Sequence, residues 1–140
     1  MLKKIIIFFG VVVLCLGVAW YWYSMPRRGV LHKTAEVSVP ASELYDVYQS
    51  DEAEANQRFL DKIMEVDGTV EEIIWVGSDV VIMLGVGAAG GISCRFSPGT
   101  EMKNTEFKKG MKVLIKGKCT GFNIDVNLVD CVIVSKQAEP

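Results

Sequence analysis

The chain has 140 residues, half of them hydrophobic, and a formal net charge of −2. This length allows a single domain. Beyond Val30 the chain has 11 basic and 17 acidic residues, a net charge of −6. Because nucleic-acid affinity rests mostly on neutralising phosphates, this balance argues against nucleic-acid binding.

An apolar segment occupies the N-terminus. Residues 5–23 contain no charged or amide side chain, and a helix of this length at about 1.5 Å per residue nearly crosses the ~30 Å hydrocarbon core of a bilayer. Lysines precede the segment, arginines follow it, and it ends in the series Trp20–Tyr23, typical of an aromatic belt at a membrane interface. The pattern predicts a transmembrane signal anchor after a short tail at 1–4.

The alternative is a cleaved signal peptide or a lipoprotein signal. A cleavage site needs small residues after the apolar segment, but aromatic residues and arginine stand there. Lipidation would use Cys15, yet Leu14 precedes it rather than Gly, Ala or Ser. We therefore expect an uncleaved anchor. Basic residues flank both ends almost equally, but a short N-terminal tail usually stays inside, so we expect the domain to lie outside.

The first elements after the anchor are a linker and two helices. Residues 24–37 lack periodicity and indicate a juxtamembrane linker, followed by a domain at 38–136 and a C-terminal tail at 137–140. A helix is predicted to begin at Pro40, since apolar residues then recur at i, i+3 and i+4. Residues 51–61 are predicted to continue as a second short helical segment.

After Lys62 the apolar residues alternate with polar ones, the period of half-buried strands. Five strands are predicted, at 64–70, 80–84, 92–96, 111–119 and 126–134, with turns at 77–79 and 121–123. The polar segment 100–109 is predicted to form a short helix between the third and fourth strands. This order is that of a mainly β, five-stranded OB-fold barrel with an N-terminal helix, and Gly68 and Gly117 lie where a small barrel bends sharply.

Charges are segregated along the predicted domain. Between Glu36 and Asp79 there are twelve acidic residues and two basic ones, whereas between Arg95 and Lys118 there are seven basic and two acidic residues. We expect the acidic and basic strands to pair with one another.

Several segments resemble a known family. They are SELYDVY, DEAEANQRF, EVDGTVEEI, GGISCRF, and KKGMKVLIKGKCTGF followed by VNLVDCVIV. These segments resemble tRNA_anti-like, a family of small bacterial OB-fold proteins named for their similarity to anticodon-binding domains. The resemblance covers about Pro40 to Val134, and its more specific part is the Gly-Lys-Cys and Asp-Cys pairing. It implies the OB fold, a position outside the cytoplasm behind an anchor or lipoprotein signal, and no catalytic residue. We therefore expect a single-pass protein of the bacterial cytoplasmic membrane.

Each motif that could indicate catalysis or cofactor binding lacks a required element. The series Gly85–Gly90 satisfies G-x-G-x-x-G, but a predicted strand follows it, whereas a dinucleotide site needs a helix there. His32 is the only histidine and lies in the linker, so the sequence predicts no Ser-His-Asp or Cys-His catalysis. The cysteines lack the C-x2-C-like spacing of a zinc site. We expect no enzyme activity, no metal and no cofactor.

Cys119 and Cys131 lie on opposite sides of the turn between the last two predicted strands. In an oxidising compartment they could form a cross-strand disulfide. The alternative is two buried free thiols that act as small apolar residues.

OB-folds bind ligands on the second and third strands and on adjacent hairpin loops. The corresponding residues are Trp75, Met83, Ser93, Arg95 and Phe122. Trp75 also fits a rim or core position. We predict a non-catalytic binding module of the cell envelope with a protein, peptide or glycan partner. The alternative is a single-stranded nucleic-acid-binding domain in the cytoplasm, but Arg95 is the only basic residue in these two strands.

Overall fold

The computed structural model of the protein describes residues 2–24, 30–87, 90–98 and 107–137. The chain begins with an apolar helix, α1 (Leu2–Ser24). Its segment Lys3–Ser24 is long and apolar enough to cross a membrane, and none of it is buried against the rest of the protein. The predicted helix is thus confirmed. A signal sequence has the same length and composition, so α1 is a candidate anchor.

The described part of the domain contains a 3-10 helix (Val30–His32), two α-helices and six strands. The helices are α2 (Ala41–Ser50) and α3 (Glu52–Phe59). The strands are β1 (Val37–Pro40), β2 (Ile63–Val76), β3 (Asp79–Gly85), β4 (Gly91–Phe96), β5 (Lys112–Phe122) and β6 (Val126–Gln137).

The two helices are separated by one residue. Pro40 precedes α2 with φ −63°, a value that the proline ring sets in advance. The Asp51 backbone N–H bonds to the Val47 carbonyl at the end of α2, and its carboxylate accepts a hydrogen bond of 3.0 Å from the Glu54 N–H, which caps α3. Asp51 therefore ends one helix and starts the next.

Five of the strands close into a barrel. The long strand β2 pairs with two of them, β5 and β3. Its first half pairs antiparallel with β5, from Ile63 opposite Lys118 to Thr69 opposite Lys112. Its second half pairs antiparallel with β3 from Thr69 to Val76, with a bulge between Val70 and Glu72. β3 pairs antiparallel with β4, β4 runs parallel to β6, and β6 pairs antiparallel with β5. This arrangement confirms the predicted OB-fold barrel.

The barrel interior and the inner faces of α2 and α3 form one hydrophobic core. Leu44, Tyr48 and Phe59 of the helices are at most 1% exposed. A smaller cluster joins Val30 of the 3-10 helix to Ile63 and Val132. Because only residues 25–29 separate α1 from Val30, this side of the barrel lies within roughly 20 Å of the end of α1 along the chain.

The structure lengthens several predicted elements. β2 continues to Val76, and β5 continues to Phe122, because Gly121 and Phe122 still pair with β6. The predicted turn at 121–123 is therefore wrong, and the turn lies at 123–125. β1, which pairs parallel to β2, was not predicted. Of the predicted helix 100–109, residues 100–106 lie outside the described residues and residues 107–110 form no helix.

The expected pairing of acidic and basic strands is confirmed. Glu65 of β2 lies opposite Lys116 of β5, and the Lys118 Nζ is 2.9 Å from a carboxylate oxygen of Asp61. Both side chains of this ion pair are exposed, so its contribution to stability is small.

Candidate binding face

The exterior of β2, β3 and β4 brings together three of the predicted site residues. Residues directly opposite one another in an antiparallel pair project to the same face of a sheet. One row across the sheet is Glu72, Met83 and Ser93, and the adjacent row on the same side is Ile74, Val81 and Arg95. We call these six residues the outer face. Met83, Ser93 and Arg95 therefore share one surface.

Trp75 belongs to the opposite side of the same strands. It lies opposite Val80, which lies opposite Phe96. Val80 and Phe96 are buried in the barrel core, yet Trp75 is 69% exposed. The difference arises because the β2–β3 hairpin continues beyond the part of β2 that β5 covers. Trp75 is therefore a rim residue and is not on the outer face.

Phe122 is held by aromatic side chains of α2. Its ring stacks on Tyr48, with ring centroids 5.7 Å apart and planes inclined by 21°, and meets the edge of Tyr45 at 5.9 Å and 72°. Such pairs stabilise packing beyond the area they bury. Phe122 therefore joins the end of β5 to α2, and the structure does not place it with the outer face.

An open cavity of about 580 Å³ adjoins the outer face. Its lining is mostly acidic and glycine-rich: Glu71, Glu72, Met83, Gly87, Gly90, Gly91, Lys109 and Asp125. Sequence reasoning missed this cavity, because it depends on the bulge between Val70 and Glu72, which brings two consecutive glutamates to its wall.

Two contacts shape the cavity wall. A carboxylate oxygen of Asp125 accepts a hydrogen bond of 2.8 Å from the Gly91 N–H, which ties the β5–β6 turn to the start of β4. The Glu71 carboxylate lies across Gly85, where an added Cβ would be 2.7 Å from its Oε2. The series Gly85–Gly90 thus connects two strands, as expected, and Gly85 leaves room for a carboxylate.

The geometry of this region suits binding. Among the described residues, no group of three His, Cys, Asp or Glu side chains is arranged to hold a metal ion. His32 is exposed in the 3-10 helix, which contacts β5 and β6. The outer face instead combines apolar side chains, one hydroxyl and one guanidinium beside a group of carboxylates.

The three cysteines of the domain are buried free thiols. Cys119 lies opposite Leu128, and its Sγ is 3.3 Å from the Tyr48 hydroxyl. Cys131 instead faces Gly117 and neighbours Cys94. Of the two alternatives given above, the structure therefore has the buried free thiols. Bulges around Lys116–Lys118 and Cys119–Gly121 shift the register and separate the two thiols.

Burial perturbs the ionisation of two of these groups. Burial raises the pKa of the Cys131 thiol well above its ordinary value, and the hydrogen bond to Cys94 adds to this effect. Burial also raises the pKa of Tyr48, together with its hydrogen bond to Cys119. Both groups are therefore neutral parts of the core.

Comparison with known proteins agrees with the fold. No curated protein sequence matches the chain. The family model of tRNA_anti-like matches residues 1–133, which include α1 and nearly the whole barrel. The chain belongs to the tRNA_anti-like family.

Proposed function

We propose that the protein is a non-catalytic binding module of the bacterial cell envelope. In this proposal α1 anchors it in the cytoplasmic membrane with the barrel outside. The outer face contacts a protein, peptide or glycan partner. The observation that supports the proposal best is that the half-buried Met83 and Ser93 and the exposed Arg95 share one face at the position where OB-folds bind ligands.

The chemistry of the outer face fits such a partner. Methionine and arginine are enriched at protein interfaces, and Ser93 supplies a hydroxyl that donates and accepts hydrogen bonds. Ile74 is 39% exposed and Val81 is buried beneath the same surface. The face thus offers apolar area with one guanidinium for orientation.

The charges near the outer face favour a neutral or basic partner. Glu71, Glu72 and Asp125 line the adjoining cavity, and Lys109 is the only base among the described residues of its lining. These carboxylates repel phosphates and attract cationic groups. A basic peptide segment whose apolar residues contact Met83 fits both features.

Site-specific photocrosslinking tests the proposal in the full-length chain within native membranes. A photoreactive amino acid at Ser93 is expected to yield a defined crosslinked product. The same group at Gln57, an exposed residue of α3, serves as the matched control and is expected to yield none. Absence of a product at Ser93, or identical products at both positions, would count against the outer face.

A paired substitution gives a second test. Arg95→Ala combined with Met83→Ala is expected to reduce the Ser93 product about tenfold, which corresponds to ~1.4 kcal/mol of binding free energy. Gln57→Ala combined with Arg58→Ala changes exposed residues of α3 and should leave it unchanged. An unchanged yield in the first variant would remove these residues from the proposal.

Single-stranded nucleic-acid binding is the second candidate, because Trp75 is exposed and aromatic side chains stack on bases. An oligonucleotide titration of the detergent-solubilised full chain at low salt tests it. Salt-dependent binding that Trp75→Ala removes would favour nucleic acid, and no binding would exclude this candidate. A reporter fused after Pro140 identifies the side of the membrane, and a cytoplasmic reporter would contradict the envelope role.

A further inference from the structure

The end of β2 has a free edge among the described residues. Residues 72–76 pair with β3 on one side. On the other side, β5 pairs only up to Thr69, and the backbones of Gly110 and Met111 then bond to Val70. Farther back along the chain, the Phe107 ring contacts the Nζ of Lys136 on β6, 4.9 Å from the ring centroid. The backbone of residues 72–76 therefore presents donors and acceptors along an edge that no described residue pairs with.

This edge lacks the usual protection against strand pairing. Exposed edges normally carry charged residues, proline or bulges, or are very short. Here the bulge and the charge of Glu72 lie at one end of the edge. Residues 73–76 contain no charge and no proline, and Ile74, Trp75 and Val76 are 39%, 69% and 52% exposed. Trp75 projects from one side of the hairpin and Ile74 and Val76 from the other. A strand added at this edge would thus find apolar side chains on both of its faces.

We propose that the occupant of this edge is a second copy of the chain. The two copies pair antiparallel through residues 72–76, so that their β2–β3 hairpins form one four-stranded sheet. This inference rests on α1 as the membrane anchor proposed above, and it shares Ile74 with the outer face but does not need the outer-face partner. In a two-fold arrangement centred on Ile74, residues 73 and 75 of the two copies lie opposite each other, as do residues 72 and 76.

The charge pattern fits this antiparallel self-pairing. Like charges directly opposite one another destabilise a strand pair. Parallel pairing would set Glu72 against the same residue of the second copy. In the antiparallel arrangement Glu72 lies opposite Val76, and Glu71 lies beyond the regular ladder, at the bulge. The acidic residues of the two copies therefore stay apart while the apolar ones meet.

The small area of the edge indicates that the membrane contributes to this dimer. Stable interfaces bury roughly 800 Å² per partner. A tryptophan side chain contributes about 150–250 Å² when buried, so a five-residue edge offers well below that standard. Tethering two copies in one bilayer raises their effective concentration. We therefore expect dimers of the full chain in membranes.

Photocrosslinking from Trp75 of the full-length chain in membrane vesicles tests the inference. The expected product has the mass of two chains. Ile74→Lys sets two like charges opposite each other and is expected to reduce this product about tenfold. Ile124→Lys, at a 73% exposed residue of the β5–β6 turn, is the matched control and should leave it unchanged. Mixing Ile74→Lys with Ile74→Glu chains should restore a mixed dimer.

Other outcomes overturn the inference and identify the true occupant. A crosslink from Trp75 to another protein or to lipid assigns the edge to that molecule. A crosslink within one chain assigns it to another segment of the same chain. A two-chain product that Ile74→Lys leaves intact assigns dimerisation to α1 or another surface. A product at Ser93 in the same preparation reports on the outer face separately, so either proposal can fail alone.

Discussion

Gly117 of β5 lies directly against the Cys131 thiol of β6. A Cβ added at Gly117 would lie 2.7 Å from Cys131 Sγ and 3.3 Å from both the Leu128 Cβ and the Val129 carbonyl oxygen. Real Cβ atoms essentially never approach another heavy atom this closely, so the barrel accepts only glycine here without a shift. The contact explains why a glycine stands inside a central strand, where it otherwise weakens pairing.

Gly117→Ala should therefore destabilise the barrel. We expect the free energy of unfolding to fall by about 1–3 kcal/mol, because the added methyl group overpacks a filled core. The measurement is urea unfolding of the full chain in detergent micelles, followed by the β-sheet signal in circular dichroism. Combining Gly117→Ala with Cys131→Ala removes the thiol and should recover part of the loss. If the double variant shows the summed losses of the two single variants, the thiol is not what excludes a side chain.

Phe122 and Trp75, both predicted as ligand residues, should differ sharply in their effect on stability. Phe122→Ala removes a ring packed against Tyr45 and Tyr48 and should cost about 2–4 kcal/mol, somewhat below the range for a fully buried phenylalanine. Trp75→Ala changes an exposed rim residue and should alter the free energy of unfolding by at most about 0.5 kcal/mol. Thermal or urea unfolding of both variants checks this. An equal decrease in the free energy of unfolding for both variants would mean that the Trp75 side chain is packed against the domain in solution.

The barrel was predictable because its signals are local. Alternation at 64–70 and around Val113 sets the inward face of each strand, and turn residues separate the strands. The outer-face residues Met83, Ser93 and Arg95 follow from the same alternation. These features depend only on neighbours along the chain.

The positions of Trp75, Phe122 and the thiols depend on register, and a sequence does not display register. Three irregularities between β5 and β6 decide which residue meets Cys119, and a bulge does not interrupt the apolar pattern visibly. Trp75 projects to the same side of β2 as the core residues. It is exposed only because β5 does not pair with this part of β2. The cavity beside Glu71 has the same origin, since the bulge at Val70 creates it.

Alkaline pH should destabilise the domain through two neutral buried groups. The folded state raises the pKa of Tyr48 and of Cys131, so their stabilising contribution is complete below their unfolded values, 10.0 and 9.0, and is lost as pH rises above them. Each group should lower the free energy of unfolding by about 1.4 kcal/mol per pH unit in that range.

Unfolding of the full chain between pH 8 and 11 measures this dependence. Tyr48→Phe should lessen the slope above pH 10, while the slope that begins near pH 9 should persist. The carboxylates of Glu52 and Asp130, which lie near Tyr48 and Cys131 respectively, also disfavour the ionised forms. A flat profile up to pH 11 would mean that both groups ionise without cost in the folded protein.

Thiol oxidation should link Cys94 to Cys131 and spare Cys119. Cys94 neighbours Cys131, whereas the Cys119 thiol is hydrogen-bonded to the Tyr48 hydroxyl. Diamide, an azo compound that accepts two electrons and two protons, would convert the two thiols to a disulfide. Both thiols are buried, so the reaction should be slow in the native state and faster in mild urea. Mass spectrometry of peptides from a non-reducing digest identifies the bond. A bond from Cys119 to Cys131 would show that the register between β5 and β6 differs from the one described above.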